Sequence, residues 1–155
     1  MKILALLLLL SFSIPAYADE PTPLRWDSRE AIPSRISDAL VVTNLVLDGV
    51  DAFRDDNNRE RWNYVCRNGL AYLSSALVKW IVERERPNGK DFKSMPSMHT
   101  AFAVSSAGYK PAWGASFAIG VAWGRQAGGW HYTTDTIAGA GIGLTSQRLC
   151  NTLVR

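Results

Sequence analysis

Two histidines, His99 and His131, are the whole imidazole inventory of this 155-residue chain. Both stand in settings that can do acid–base or nucleophilic work. Asp135 follows His131 by four residues, one helical turn, so its carboxylate can accept from Nδ1–H and leave Nε2 free to attack. His99 closes Pro96-Ser97-Met98-His99, where Ser97 is suited to cap the start of a helix. Three fixed cations accompany them: Lys79 and Arg86 in Lys79-x6-Arg86-Pro87, and Arg125 in Gly124-Arg125-x5-His131.

Taken singly, each element has an ordinary explanation. A Lys and an Arg near a helix C-terminus offset its dipole. A serine starts a helix, and a His and an Asp four apart brace one. Together they supply what phosphoryl transfer by a histidine needs. Lys79, Arg86 and Arg125 provide charge for the non-bridging oxygens, and each arginine can bind two oxygens at once. The Ser97 hydroxyl and the backbone N–H groups that follow, that of Met98 among them, form a phosphate cradle at a helix N-terminus. His131 is the candidate nucleophile, Asp135 its orienting carboxylate, and His99 the acid for the leaving oxygen. In this scheme arginine and lysine do the electrostatic work of a metal, so neither metal nor cofactor is required.

In this order the three elements resemble the signature of the type 2 phosphatidic acid phosphatase superfamily. That superfamily also includes bacterial acid phosphatases and vanadium haloperoxidases. The resemblance runs from Lys79 to Gly143 and takes in Met95–Ala101 and His131–Gly139. It implies a phosphohistidine on His131, with His99 acting first as acid and then as base. Two positions depart from the pattern: Met98 stands where the family has Gly, and Gly124 where it has Ser. The intervals between the elements are also short for the family. Phosphomonoesters and lipid (pyro)phosphates both remain open as substrates. A vanadate-dependent peroxidase on the same residues is a further reading, as is a secreted protein that binds phosphate or phospholipid without turnover.

These side chains must be positioned by helices. Residues 1–18 read as a secretory signal peptide: Lys2, a Leu-rich run, and Ala16-Tyr17-Ala18 as a cleavage site. That implies export across the inner membrane, to a periplasmic location. Residues 19–33 carry three prolines and read as an irregular arm. Residues 34–155 form the expected phosphatase domain. Ile36, Leu40, Leu47 and Val50 recur with helical spacing, as do Trp62, Cys66, Leu70, Leu73, Leu77, Trp80 and Ile81. The second series should end before Pro87. Further helices are expected from about Pro96-Ser97, over Ala112–Trp123, and from about His131–Thr133 to the C-terminus. The fold class is all-α, a compact helical bundle of about five helices.

The formal net charge of +3 and the lack of a basic run argue against a nucleic-acid partner. Cys66 and Cys150 read either as a disulfide suited to an oxidising compartment or as two buried thiols. No apolar run after the leader reaches ~18 residues, which favours a soluble enzyme. Ala112–Trp123 and Thr136–Leu144 are then expected to be core helices, with a membrane-facing surface as the alternative. The six tryptophans are expected to pack in the core, with peripheral contact at a membrane surface as the alternative.

Overall fold

The computed structural model describes residues 28–54, 56–107 and 111–154. The expected leader and the first part of the expected arm lie outside these. Among the described residues five helices follow one another: α1 Ser28–Arg54, α2 Asn58–Ile81, α3 Met98–Ser106, α4 Pro111–Ala127 and α5 Thr133–Leu153. Among the described residues there is no strand, only an isolated parallel bridge between Arg84 and Lys93. The chain is an all-α bundle, as its periodicity predicts. One boundary differs. The helix expected to open at Ser34 opens at Ser28, so the last residues of the supposed arm are helical and Pro33 lies inside α1. Pro33 has no N–H to give the Arg29 carbonyl. That carbonyl belongs to the opening turn, where one missing bond does not stop the helix.

Local chemistry sets the other ends. Asn57 caps α2, its side chain accepting from the Arg59 N–H at 3.0 Å. α2 stops at Ile81, well before Pro87. The chain beyond it is held extended: Ser94 N–H donates to the Arg84 carbonyl at 3.0 Å, and Arg86 N–H to the Asp91 carbonyl at 2.9 Å. Ser97 caps α3 by accepting from the Thr100 N–H at 3.4 Å and the Thr100 hydroxyl at 3.0 Å.

The short α3 lies at the centre and packs against all four other helices. Close approach is possible because the contact residues are small. A Cβ added at Gly139 of α5 would stand 2.3 Å from the Ser97 carbonyl oxygen, and one at Gly143 2.5 Å from that of Ala101. α4 meets α1 in the same way, since a Cβ at Gly124 would lie 2.6 Å from the Pro33 carbonyl oxygen.

Polarity is the reverse of that expected. On α1, Ile36, Leu47 and Val50 face outward, while Asn44 and Asp48 are buried. On α2 the buried face is Asn63, Arg67, Ala71 and Ser75. Trp62, Leu73, Leu77, Trp80 and Ile81 are exposed, with Trp62 at 66% and Trp80 at 80%. Trp113, Ile119 and Trp123 of α4 and Ile137 and Leu144 of α5 are exposed as well. The core assignment of Ala112–Trp123, Thr136–Leu144 and most tryptophans is therefore corrected. Trp26 lies outside the described residues. Periodicity marks an apolar face without saying what it meets. Here the opposite faces carry polar groups that satisfy one another inside the bundle. Arg67 pairs with Asp48, Asn44 donates to the Ala103 carbonyl at 3.0 Å, and Ser105 donates to Asn68 Oδ1 at 2.7 Å. Such groups are costly to bury unless paired. The apolar core proper is small: Val41, Ala103, Ala118 and Val121, flanked by Leu40, Leu45, Phe102 and Val104.

Among the described residues no helix is long and apolar enough to cross a membrane. Of the two readings of the cysteines, the bridge is the one formed: Cys66 of α2 is joined to Cys150 of α5, with Cα atoms 5.8 Å apart.

Candidate active site

The end of the bundle where α2 and α4 finish and α3 and α5 begin gathers the residues singled out by type and spacing. α2 delivers Lys79 in its last turn, and its ammonium donates to the Lys93 carbonyl at 2.6 Å. In the extended stretch that follows, residues two apart share a side, so Arg84 and Arg86 project together. Arg86 donates Nε–H to Asp91 Oδ1 at 2.6 Å and a terminal N–H to the Trp130 carbonyl at 3.3 Å. Arg125 sits in the last turn of α4 and donates to Asp38 Oδ1 at 2.9 Å. Its own carbonyl accepts the N–H groups of Trp130 at 3.0 Å and His131 at 3.2 Å. Gly129, at φ 66°, takes the left-handed conformation that lets the chain reverse between them. The Trp130 ring lies beside both guanidiniums, each 5.0 Å from its centroid, and attracts them through its π face.

Asp135 is fully buried in the first turn of α5. Its Oδ1 accepts from Arg84 at 2.8 Å; its Oδ2 accepts from the Tyr132 N–H at 2.9 Å and from the Ser94 hydroxyl. His131 Nδ1 stands 3.8 Å from Oδ2 and makes no hydrogen bond. The expected His131–Asp135 pair is thus adjacent but not hydrogen-bonded. At the third position of a helix a carboxylate turns back to the cap N–H, and Ser94 and Arg84 take its remaining lone pairs.

Ser97 is also fully buried. Its oxygen serves the α3 cap, and its N–H donates to the Asp135 carbonyl at 2.9 Å. This ties the starts of α3 and α5 together. Met98, half-buried, opens α3, and first-turn N–H groups such as those of Met98 and His99 have no intrahelical acceptor. They remain suited to an anion. His99 is half-buried, with Nε2 3.2 Å from Asp38 Oδ1, the same oxygen that Arg125 binds.

These placements shape the electrostatics. Burial, joined by the charges of Lys79, Arg125 and Arg86, pushes the His131 pKa from its ordinary 6.5 to about 4, against the pull of Asp135. Burial and then Arg125, His131, Lys79 and Arg86 lower that of His99 to about 3. Burial alone would raise Asp135, but its contacts with His131, Ser94, Tyr132 and Arg84 hold it below the usual carboxylate range.

Four contributors escaped sequence reasoning: Asp38, Arg84, Ser94 and Trp130. Arg84 carried a signal in its two-residue spacing from Arg86, and Trp130 in its place beside His131. Asp38 carried none, being one of several acids on α1, far upstream of the other elements.

No family model and no curated protein sequence matches the chain. Its fold does match a solved structure, the crystal structure of a transmembrane PAP2 type phosphatidylglycerolphosphate phosphatase from Bacillus subtilis. The two chains are 17% identical, with a TM-score of 0.71 over 98% of this chain and 94% of that one. The chain shares the fold of that structure. Within this fold, Lys79-x6-Arg86, Ser97-Met98-His99 and Arg125-x5-His131-x3-Asp135 meet at one end of the bundle, although they come from four helices and two connecting segments.

Proposed function

We propose that the chain is a metal-independent phosphatase that works through a phosphohistidine on His131. The observation that carries this reading is the convergence of His99, His131, Lys79, Arg86 and Arg125 around the first turn of α3, within a fold shared with a PAP2 type phosphatase. Lys79, Arg86, Arg125 and the N–H groups that start α3 bind the phosphate oxygens and stabilise the charge that spreads over them in the transition state. Arg125 Nε is buried without a hydrogen-bond partner and suits one such oxygen. His131 Nε2 attacks phosphorus in line. The N–P bond forms, the P–O bond to the leaving group breaks, and the leaving oxygen takes a proton from His99. Water then attacks the phosphohistidine and gives its proton to His99. The N–P bond breaks, and the sum is ester plus water to alcohol plus inorganic phosphate.

The exposed apolar residues favour a lipid phosphate presented at a membrane. Trp62 and Trp80 mark the two ends of the outward face of α2. They are separated by about 27 Å of helix rise, close to the ~30 Å of a bilayer's hydrocarbon. Val65, Tyr72, Leu73 and Leu77 fill the interval. Shorter stretches with exposed apolar side chains run over Ala39–Phe53, Trp113–Trp123 and Ile137–Leu149, so apolar surface is spread over four helices. Tryptophan at both ends of such a belt is what a membrane interface favours. Mean hydropathy misses this because the inward half of each helix is polar. The transmembrane character of the PAP2 neighbour agrees with this seat, and the leader-like residues 1–18 would put the catalytic end on the periplasmic side.

The test is phosphate release from a chromogenic phosphate ester and from a lipid phosphate in mixed micelles, both with EDTA. Turnover should persist in EDTA, and His131→Ala should abolish it. Protein that binds phosphate yet releases none would instead support the non-catalytic reading.

A further inference from the structure

Asp38 is the one acid drawn into the cationic site from α1, and its position bears on what the site accepts. Its Oδ1 lies 3.2 Å from His99 Nε2 and 2.9 Å from an Arg125 terminal nitrogen. The side chain is 52% exposed, so this carboxylate stands at the mouth rather than in the floor. His99 is the group that hands a proton to the leaving oxygen. Whatever oxygen leaves must therefore come within hydrogen-bond reach of the imidazole and, in doing so, within a few ångströms of Asp38. Lys79, Arg86 and Arg125, which face the same space, are cations that bind any phosphate oxygen alike, while Asp91 is paired with Arg86 and Asp135 is fully buried. The interaction of Asp38 with the departing group has a sign that depends on what leaves.

We infer that Asp38 is a specificity-determining residue on the leaving-group side, which makes the site select phosphomonoesters of neutral alcohols over diphosphates. This rests on the phosphatase reading and deepens it. A diphosphate cleaved at its terminal phosphorus expels a phosphate that is itself an anion, and a fixed carboxylate beside it is repulsive at that range. A neutral alcohol meets no such repulsion. If it carries further hydroxyls, as a glycerol does, Asp38 can accept from one of them, which strengthens the preference. Discrimination of this kind works by penalising the wrong ligand as much as by holding the right one.

The experiment is a matched pair, farnesyl monophosphate and farnesyl diphosphate, in detergent micelles with the full chain. Release of phosphate gives kcat/KM for wild type, Asp38→Asn and Asp38→Glu. Wild type should favour the monophosphate by about tenfold or more. Asp38→Asn should shrink that ratio at least tenfold, and Asp38→Glu should restore most of it by keeping the charge. A wild-type preference for the diphosphate would overturn the inference. So would an Asp38→Asn variant that loses both activities in equal proportion, since that marks Asp38 as a purely structural partner of Arg125. Failure of wild type to release phosphate from either compound would sink the phosphatase reading itself.

Discussion

His131 and His99 share one electrostatic circumstance: His131 is buried and His99 half-buried among Lys79, Arg86 and Arg125, and both have pKa values pushed far below 6.5. For His131 as the proposed nucleophile this is useful, because only a neutral imidazole can attack. A pKa near 4 keeps it unprotonated at every higher pH, so kcat/KM should rise as pH increases through about 4. His99 has the opposite need. On the proposed mechanism, a pKa near 3 would leave it neutral when substrate arrives, and it would take its proton from the substrate's own phosphate. The monoanion of a phosphate ester holds that proton only below its second ionisation, near pH ~6. The kcat/KM profile should therefore be a bell confined to the acid side of neutrality, with an alkaline limb that shifts when the substrate's second pKa is changed. A plateau extending to alkaline pH would rule out this division of labour. Asp135 offers a separate lesson. Its spacing from His131 was legible, but not the three groups that occupy its oxygens. Ser94, Tyr132 and Arg84 belong to turns whose geometry no periodicity encodes.

At the scale of elements, the helices that carry the site are held by what their glycines leave out. Gly139→Ala would drive a Cβ to 2.3 Å from the Ser97 carbonyl oxygen, a backbone atom that cannot rotate away. α5 must then move off α3, and the link from Ser97 N–H to the Asp135 carbonyl goes with it. A loss of about 1–3 kcal/mol in stability is expected, with a fall in kcat, read by urea melts and by phosphate release. Gly141→Ala is the internal control. A Cβ there has nothing within 4 Å, so helix propensity should make it neutral or slightly stabilising. Gly124 belongs to the same class. Where the resembling family has a serine, this chain runs α4 so close to Pro33 and Ser37 of α1 that a side chain would collide. The departure noted in the sequence is thus a packing residue. Helix number and order were legible because capping residues and apolar spacing are local. The outward turn of the apolar faces was not, since it depends on a polar interior assembled from residues on different helices, such as Asp48 with Arg67 and Asn68 with Ser105.

For the whole molecule, the exposed apolar side chains make a direct claim on their surroundings. Trp62, Trp80, Trp113 and Trp123 should all lie within reach of acyl chains. Reconstitution into vesicles whose phosphatidylcholine carries brominated chains should quench most of the tryptophan fluorescence, whereas water-soluble iodide should quench little. The reverse pattern would remove the lipid belt and return the chain to the aqueous phase. The Cys66–Cys150 bridge adds a consequence of another kind. It closes a separation of 84 residues, spanning α2 through α5, and in chain-entropy terms contributes about 4.5 kcal/mol. That contribution exists only where thiols oxidise. A copy stalled on the reducing side of a membrane holds the same sequence and the same helices without their clasp. The bond would thus work as a maturation stamp, adding its stability only to copies that have reached an oxidising compartment.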